Sequence, residues 1–265
     1  MNGAFEAGER LWQQRLGTLR QVVRQELVSR QLGRHLDAAA TPRVLDVGCG
    51  QGTQLLQLAR RGHQVIGLDS SPALLAQLER ALTVEPAEVR ERVRVIRGDA
   101  GRLKSMFAPG SFDAVLCQGV LMYFTDPQPL LTAIGQLVVP GGLVSVVVRN
   151  GDALALRPGL LGDWPAARDG FDAPGYLNRL GVRARSDRRR DLDRSLEKAG
   201  LSVLAWYGVR VFTDTAADDA PLPGEDELRL ILECEERAGQ TDPYRAVAAL
   251  THVIAQRPQL AGQPA

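Results

Sequence analysis

Three alternate glycines, Gly48, Gly50 and Gly52, follow the apolar run Val44-Leu45-Asp46-Val47. The run suits a strand buried on both faces. The glycines remove side chains where the backbone must turn sharply, and let a ligand approach it closely. Gln54 to Arg60 then has amphipathic spacing. A strand, a glycine turn and a helix N-terminus in succession make a nucleotide or nucleoside site.

The punctuation narrows the ligand. A dinucleotide fingerprint needs G-x-G-x-x-G, but position 53 is Thr and the third glycine comes one residue early. The pattern Asp46-x-Gly48-x-Gly50-x-Gly52 instead resembles that of class I S-adenosylmethionine-dependent methyltransferases. Four further features fall where that resemblance expects them. Asp69 closes Val65-Ile66-Gly67-Leu68, where a carboxylate takes the ribose hydroxyls, and Asp99-Ala100 follows the third apolar run, beside the adenine. Phe112 to Gln118 reads as a fourth strand leading to the switch point of the sheet, and Pro140-Gly141-Gly142 precedes a fifth. Singly, Asp69 also suits a helix N-cap and Asp99 a turn. In register together, they point to S-adenosyl-L-methionine, with S-adenosyl-L-homocysteine as the product.

A closer resemblance covers roughly residues 12–258. Leu19-Arg20-Gln21, Arg61-Gly62-His63-Gln64-Val65, Gly208-Val209-Arg210-Val211-Phe212, Glu233 to Tyr244, His252-Val253-Ile254-Ala255 and Arg257-Pro258 are similar to segments of the bacterial tRNA 5-carboxymethoxyuridine methyltransferases. Those enzymes esterify a carboxylate on a modified wobble uridine. The resemblance implies that Arg20 reaches the cofactor's methionine carboxylate, although from sequence alone Arg20 suits a solvated helix face. It implies that Gly48 and Cys49 line the turn, Asp69 takes the ribose, Asp99 and Ala100 frame the adenine, and Gln118 lies near the cofactor; Gly50 and Ser70 are further candidate cofactor contacts. The chain departs from the family at two positions, with Gln118 in place of a histidine and Tyr123 in place of a tryptophan.

A carboxylate acceptor is ionised at neutral pH and needs no general base, whereas a sugar or phenol hydroxyl usually wants one. His35, His63 and His252 read as structural. The acceptor carboxylate needs a cation, for which Arg210 is the first candidate and Arg149 the second. Tyr123 and Asn150, at the ends of the fourth and fifth strands, are candidate substrate contacts.

These residues need a scaffold. Strands at 43–47, 64–68, 93–97, 113–117 and 142–148 alternate with helices at 53–61, 72–82, 102–107 and 127–138. The alternation predicts an α/β, doubly wound, Rossmann-like parallel sheet. The methyltransferase resemblance implies seven strands, with the last, near 251–255, inserted antiparallel beside the fifth. Residues 1–42 read as a helical lid packed on a domain spanning 43–265, with a substrate-side insertion at 150–190. Residues 150–176, rich in Gly and Pro, read as an irregular loop. After a helix near 192–199, residues 201–212 read as extended with a turn at Tyr207-Gly208, followed by helices at 227–237 and from Pro243. Arg179, Arg183, Arg185, Arg188, Arg189, Arg190 and Arg194 form a basic run interleaved with Asp187, Asp191 and Asp193. It reads either as a self-paired surface or as a patch that contacts tRNA phosphates.

Composition adds only bounds. The 265 residues carry a net charge of +1, so no global charge draws nucleic acid or membrane. Cys49, Cys117 and Cys234 have no spacing that suggests disulfides or zinc. No metal, no membrane partner and a cytoplasmic location are expected. Three functions are compatible with the sequence. They are a tRNA wobble carboxylate O-methyltransferase, a methyltransferase of a small-molecule acceptor such as a metabolite or sugar, and a cofactor-binding protein without turnover.

Overall fold

The computed structural model describes residues 17–36, 42–178 and 181–259. The first described element is helix α1 (Leu19–Gly33). It then alternates β1 (Arg43–Val47), α2 (Thr53–Arg60), β2 (Gln64–Asp69), α3 (Pro72–Thr83), a short α4 (Ala87–Arg90) and β3 (Val93–Arg97). Next come α5 (Leu103–Met106), β4 (Phe112–Gln118), α6 (Gln128–Leu137) and β5 (Val138–Arg149). Two short helices, α7 (Leu156–Leu160) and α8 (Trp164–Gly170), lead into a two-stranded ribbon, β6 (Gly175–Leu177) with β7 (Arg183–Arg185). The chain closes with α9 (Arg189–Lys198), β8 (Ser202–Val209), α10 (Glu225–Ala238) and β9 (Leu250–Gln256).

The main sheet runs β3-β2-β1-β4-β5-β9-β8. Its first five strands are parallel, and β9 inserts antiparallel between β5 and β8. Alternating side chains divide the core. Leu45, Val47 and Val115 pack with Leu131, Ile134 and Leu196 on one face, while Val44, Leu116 and Ile254 pack with Leu55, Leu58 and Leu78 on the other. Val23, Leu27 and Val28 of α1 dock on Val147, Val209 and Leu232. That contact carries the polar residues of α1 over the C-terminal ends of the strands.

The expected core elements match the observed ones to within a few residues up to α6. Three differences follow. Pro140-Gly141-Gly142 lies inside β5, at a bulge where the register passes from Phe112↔Val138 to Ala114↔Leu143. The segment expected as an irregular loop holds the short helices α7 and α8, the second with Pro165 in its first turn and capped by Asp163. The turn expected at Tyr207-Gly208 is absent, because β8 stays paired with β9 as far as Val209↔Leu250. The chain reverses instead at Arg210, a non-glycine residue at φ 62°. The lid expectation for residues 1–16 and Arg179 lie outside the described residues.

Candidate active site

The glycine turn is shaped by sterics. Gly48, Gly50 and Gly52 sit at φ 74°, 56° and 85°, in the left-handed region that glycine enters without strain. A Cβ on Gly48 would come within 2.3 Å of Val120, and one on Gly52 within 2.3 Å of Leu78. The turn is then pinned to the next strand. The Gly50 N–H donates to Asp69 Oδ2 at 2.8 Å, and the Ser71 N–H donates to Asp69 Oδ1 at 2.8 Å. Asp69 thus joins the glycine turn to the start of α3.

Beside this turn lies a cavity of about 910 Å³. Gly48, Cys49, Gly50, Asp69, Ser70, Gln118, Tyr123, Arg20, Arg149 and Arg210 all line it, which brings together most of the residues expected from sequence. Three expected residues do not line it. Asn150 is buried, its Nδ2 donating to the carbonyls of Ala246 and Ala248 and its Oδ1 accepting from the Asp152 N–H. It ties two loops together and does not line the cavity. Asp99 accepts from the Gly101 N–H at 2.8 Å, and Ala100 is buried in the core beside it. Both stand one strand beyond Asp69 and outside the cavity wall.

The guanidiniums converge on one carboxylate that sequence reasoning missed. Asp214 Oδ1 meets Arg20 at 2.7 Å and Arg210 at 3.4 Å, and its Oδ2 meets Arg149 at 3.5 Å. Burial pushes the Asp214 carboxyl up, but Arg210, Arg149 and Arg20 together outweigh it and hold it below its ordinary range. Arg20 also reaches Asp218 at 3.0 Å, so it is a buried, paired side chain and not a solvated one. Arg24, one helical turn on, donates to the Gln118 carbonyl at 3.2 Å and has its pKa lowered by burial. Burial lowers Arg210 to about 9, with Asp214 opposing and Arg20, Arg149 and Arg24 adding to the fall.

The cavity as a whole is not basic, since Asp46, Asp163 and Asp169 line it too. The cationic excess is local to the Asp214 end. There the buried Nε–H groups of Arg149 and Arg210 have no acceptor among the described residues. Buried donors of this kind call for an anionic partner. At the other end, burial and the charge of Asp69 push the Asp46 carboxyl up to about 7 against the pull of Arg24. Tyr123 and Tyr176 stand over the middle, with Arg149 stacked 5.4 Å from the Tyr176 ring centroid. Burial pushes both phenols up.

Elsewhere the expected residues have other work. His252, fully buried, bonds Ser145 and Gln31; His35 bonds the Tyr207 hydroxyl at 2.7 Å; His63 is buried before β2. The described arginines of the run, Arg183 to Arg194, do not line the cavity. Within the run Arg185 pairs with Asp187, Arg189 with Asp193 and Arg194 with Asp191. Among the described residues no group of His, Cys, Asp and Glu is placed to hold a metal ion. No described helix is long and apolar enough to cross a membrane.

Comparison with known proteins fits this geometry. A family model described as a methyltransferase domain matches residues 45–146, from β1 through most of β5. The chain is 29% identical to the tRNA 5-carboxymethoxyuridine methyltransferase of Escherichia coli (strain K12), over 92% of this chain and 91% of that protein. It is 36% identical to the ubiquinone biosynthesis O-methyltransferase of Xanthomonas campestris pv. campestris (strain B100), over 43% of this chain and 46% of that one. Its fold is shared with an S-adenosylmethionine-dependent methyltransferase from Mesorhizobium loti, at a TM-score of 0.60 and 21% identity over 86% of this chain and 96% of the other. The left-handed glycine cradle and the unmatched guanidinium donors fit a nucleoside that also carries a carboxylate. The chain is an S-adenosylmethionine-dependent methyltransferase with S-adenosyl-L-methionine as its cofactor.

Proposed function

We propose that the enzyme methylates a carboxylate, that of a 5-carboxymethoxyuridine-type wobble nucleotide in tRNA. The observation that carries this reading is the crowding of Arg20, Arg149 and Arg210 around Asp214, with buried Nε–H donors left over on Arg149 and Arg210 among the described residues. Such a group accommodates two further anions, the cofactor's own carboxylate and the acceptor's. The full-length likeness to the Escherichia coli tRNA 5-carboxymethoxyuridine methyltransferase supports the same acceptor.

On this reading Gly48, Cys49 and Gly50 cradle the cofactor, Asp69 and Ser70 hold its ribose, Gln118 flanks it, and Arg20 takes its carboxylate. Asp99 and Ala100, one strand beyond Asp69, stay assigned to the adenine. Bound there, S-adenosyl-L-methionine supplies an electrophilic methyl group on a sulfonium, and S-adenosyl-L-homocysteine is left when it is gone. Arg210 and Arg149 bind the acceptor carboxylate and aim one oxygen at that methyl group, while Tyr123 and Tyr176 flank the ring that bears it. Because the nucleophile is already ionised, the residues align and desolvate, with no proton to remove.

A second reading has one observation in its favour. Leu160, Leu161, Trp164 and Phe171, on and beside α7 and α8, are exposed near the cavity mouth, as suits a small apolar acceptor. The likeness to ubiquinone biosynthesis O-methyltransferases points the same way over the core. Labelled S-adenosyl-L-methionine offered with total tRNA, and separately with a small-molecule extract of the source cells, separates the two. Label in tRNA as a base-labile ester is the expected result. Label only in the small-molecule arm overturns the tRNA reading.

A further inference from the structure

We infer that Glu235 is the positioning residue for Arg210 and Asp214, acting on them through the backbone of the loop that carries both. Glu235 lies on α10, is 1% exposed, and touches neither the cavity nor any guanidinium in it. Its Oε1 accepts from the Phe212 N–H at 3.0 Å, the Thr213 N–H at 2.7 Å and the Thr213 hydroxyl at 2.6 Å. Its Oε2 accepts from the Val211 N–H at 2.7 Å. One buried carboxylate thus binds three successive backbone N–H groups, which satisfies a loop that would otherwise bury unpaired donors.

The loop needs such an anchor. Arg210 immediately precedes it at φ 62°, a conformation that costs a branched or long side chain free energy unless the surroundings impose it. The Arg210 carbonyl accepts from the Ala249 N–H at 3.0 Å on the other side. Between these two ties the Arg210 side chain is thrown into the cavity instead of continuing along β8. Asp214, at the far end of the same loop, arrives where Arg20, Arg149 and Arg210 meet. Glu235 therefore sets the placement of two cavity residues through the loop backbone.

This inference rests on the proposed role of Arg210 toward an acceptor carboxylate, so the experiment has one arm that needs no acceptor. Glu235→Gln keeps the shape but turns one acceptor oxygen into a donor facing an N–H. Glu233→Gln, an exposed change on the same helix, is the control. In the first arm, kinetics on tRNA should show acceptor KM raised about tenfold with kcat within about threefold, the pattern of lost ground-state binding. The double variant Glu235→Gln/Arg210→Gln should be no worse than Arg210→Gln alone, because the two act as one unit. Additive losses, or a loss confined to kcat, overturn the inference.

In the second arm, the Arg210 Nε–H resonance, assigned by its disappearance in Arg210→Gln, should shift or broaden in Glu235→Gln and stay put in Glu233→Gln. An unmoved resonance in a folded Glu235→Gln protein overturns the inference, whatever the acceptor. A wild-type enzyme silent on tRNA would sink the proposed substrate and leave this second arm to decide.

Discussion

Asp69 is the residue on which the glycine turn depends. Its two oxygens accept from Gly50 and Ser71, so it is already oriented before any ribose hydroxyl arrives. Asp69→Ala should weaken S-adenosyl-L-methionine binding by about 1.5–3 kcal/mol, the range of hydrogen bonds to charged groups, as read by calorimetry. Unchanged affinity would remove Asp69 from the cofactor site. Asp69 was legible in the sequence because it ends an apolar run at a fixed place in the strand–helix alternation. Asp214 was not. It sits in an acidic, Pro-rich loop, and only the fold brings it under Arg20, some two hundred positions away in the chain. Arg24 hid for another reason, since an arginine on an amphipathic helix looks solvated until the helix is known to lie over the strand ends. Asn150 failed in the opposite sense, because its place after β5 was right but its amide is spent on the backbone of the C-terminal segment.

At the scale of elements, the arginine run shows how far charge spacing can be trusted. Asp191 and Arg194 stand three residues apart, and Arg189 and Asp193 four apart, so α9 neutralises part of its own charge, as helical spacing predicts. Arg183, Arg188 and Arg190 are exposed and have no carboxylate within salt-bridge distance among the described residues. Arg183 lies opposite Leu177 in the β6–β7 ribbon, and Arg188 donates to the Phe171 carbonyl, so both stand at the rim of the cavity. If tRNA docks there, replacing all three with Ala should weaken binding and make its logarithmic salt dependence shallower by about two to three. Filter binding across a salt series checks this, and an unchanged slope would take these arginines out of any RNA contact. Helices α7 and α8 of the same rim escaped sequence analysis because each is short and interrupted by Gly or Pro. They form by packing on each other, and α7 also on the loop that carries Asp214, contacts no local propensity announces.

Across the whole molecule, one buried polar chain joins the cavity to α1 through two strands of the sheet. Gln118 Nε2 donates to Ser145 Oγ, whose hydroxyl faces His252 Nε2 at 2.9 Å. His252 Nδ1 faces Gln31 Oε1 at 2.8 Å, and Gln31 Nε2 donates to the Gly208 carbonyl at 3.2 Å. Among the neutral forms of the ring only one satisfies every link, with the His252 proton on Nδ1 and the Ser145 proton pointing at Nε2. Burial, with His35 and Arg24 adding, favours this neutral form and lowers the pKa of His252 to about 3. The unfolded chain takes up a proton near its ordinary value of 6.5, which the folded chain refuses until about 3. The stability that neutral His252 contributes is thus fully present above pH 6.5 and is lost as pH falls toward 3. Asp46 works the other way, since its raised carboxyl favours the folded state at lower pH, so the net profile of the wild type mixes both. A difference between variants isolates the histidine. His252→Gln has no titrating ring and should cost about 1–3 kcal/mol at pH 7.5, through one unsatisfied link in a dry chain. By thermal unfolding, the Tm gap between wild type and His252→Gln should narrow steadily from pH 7.5 to pH 5. A gap that stays constant over that range would mean that His252 accepts a proton in place and that the chain from Gln118 to Gln31 tolerates its reversal.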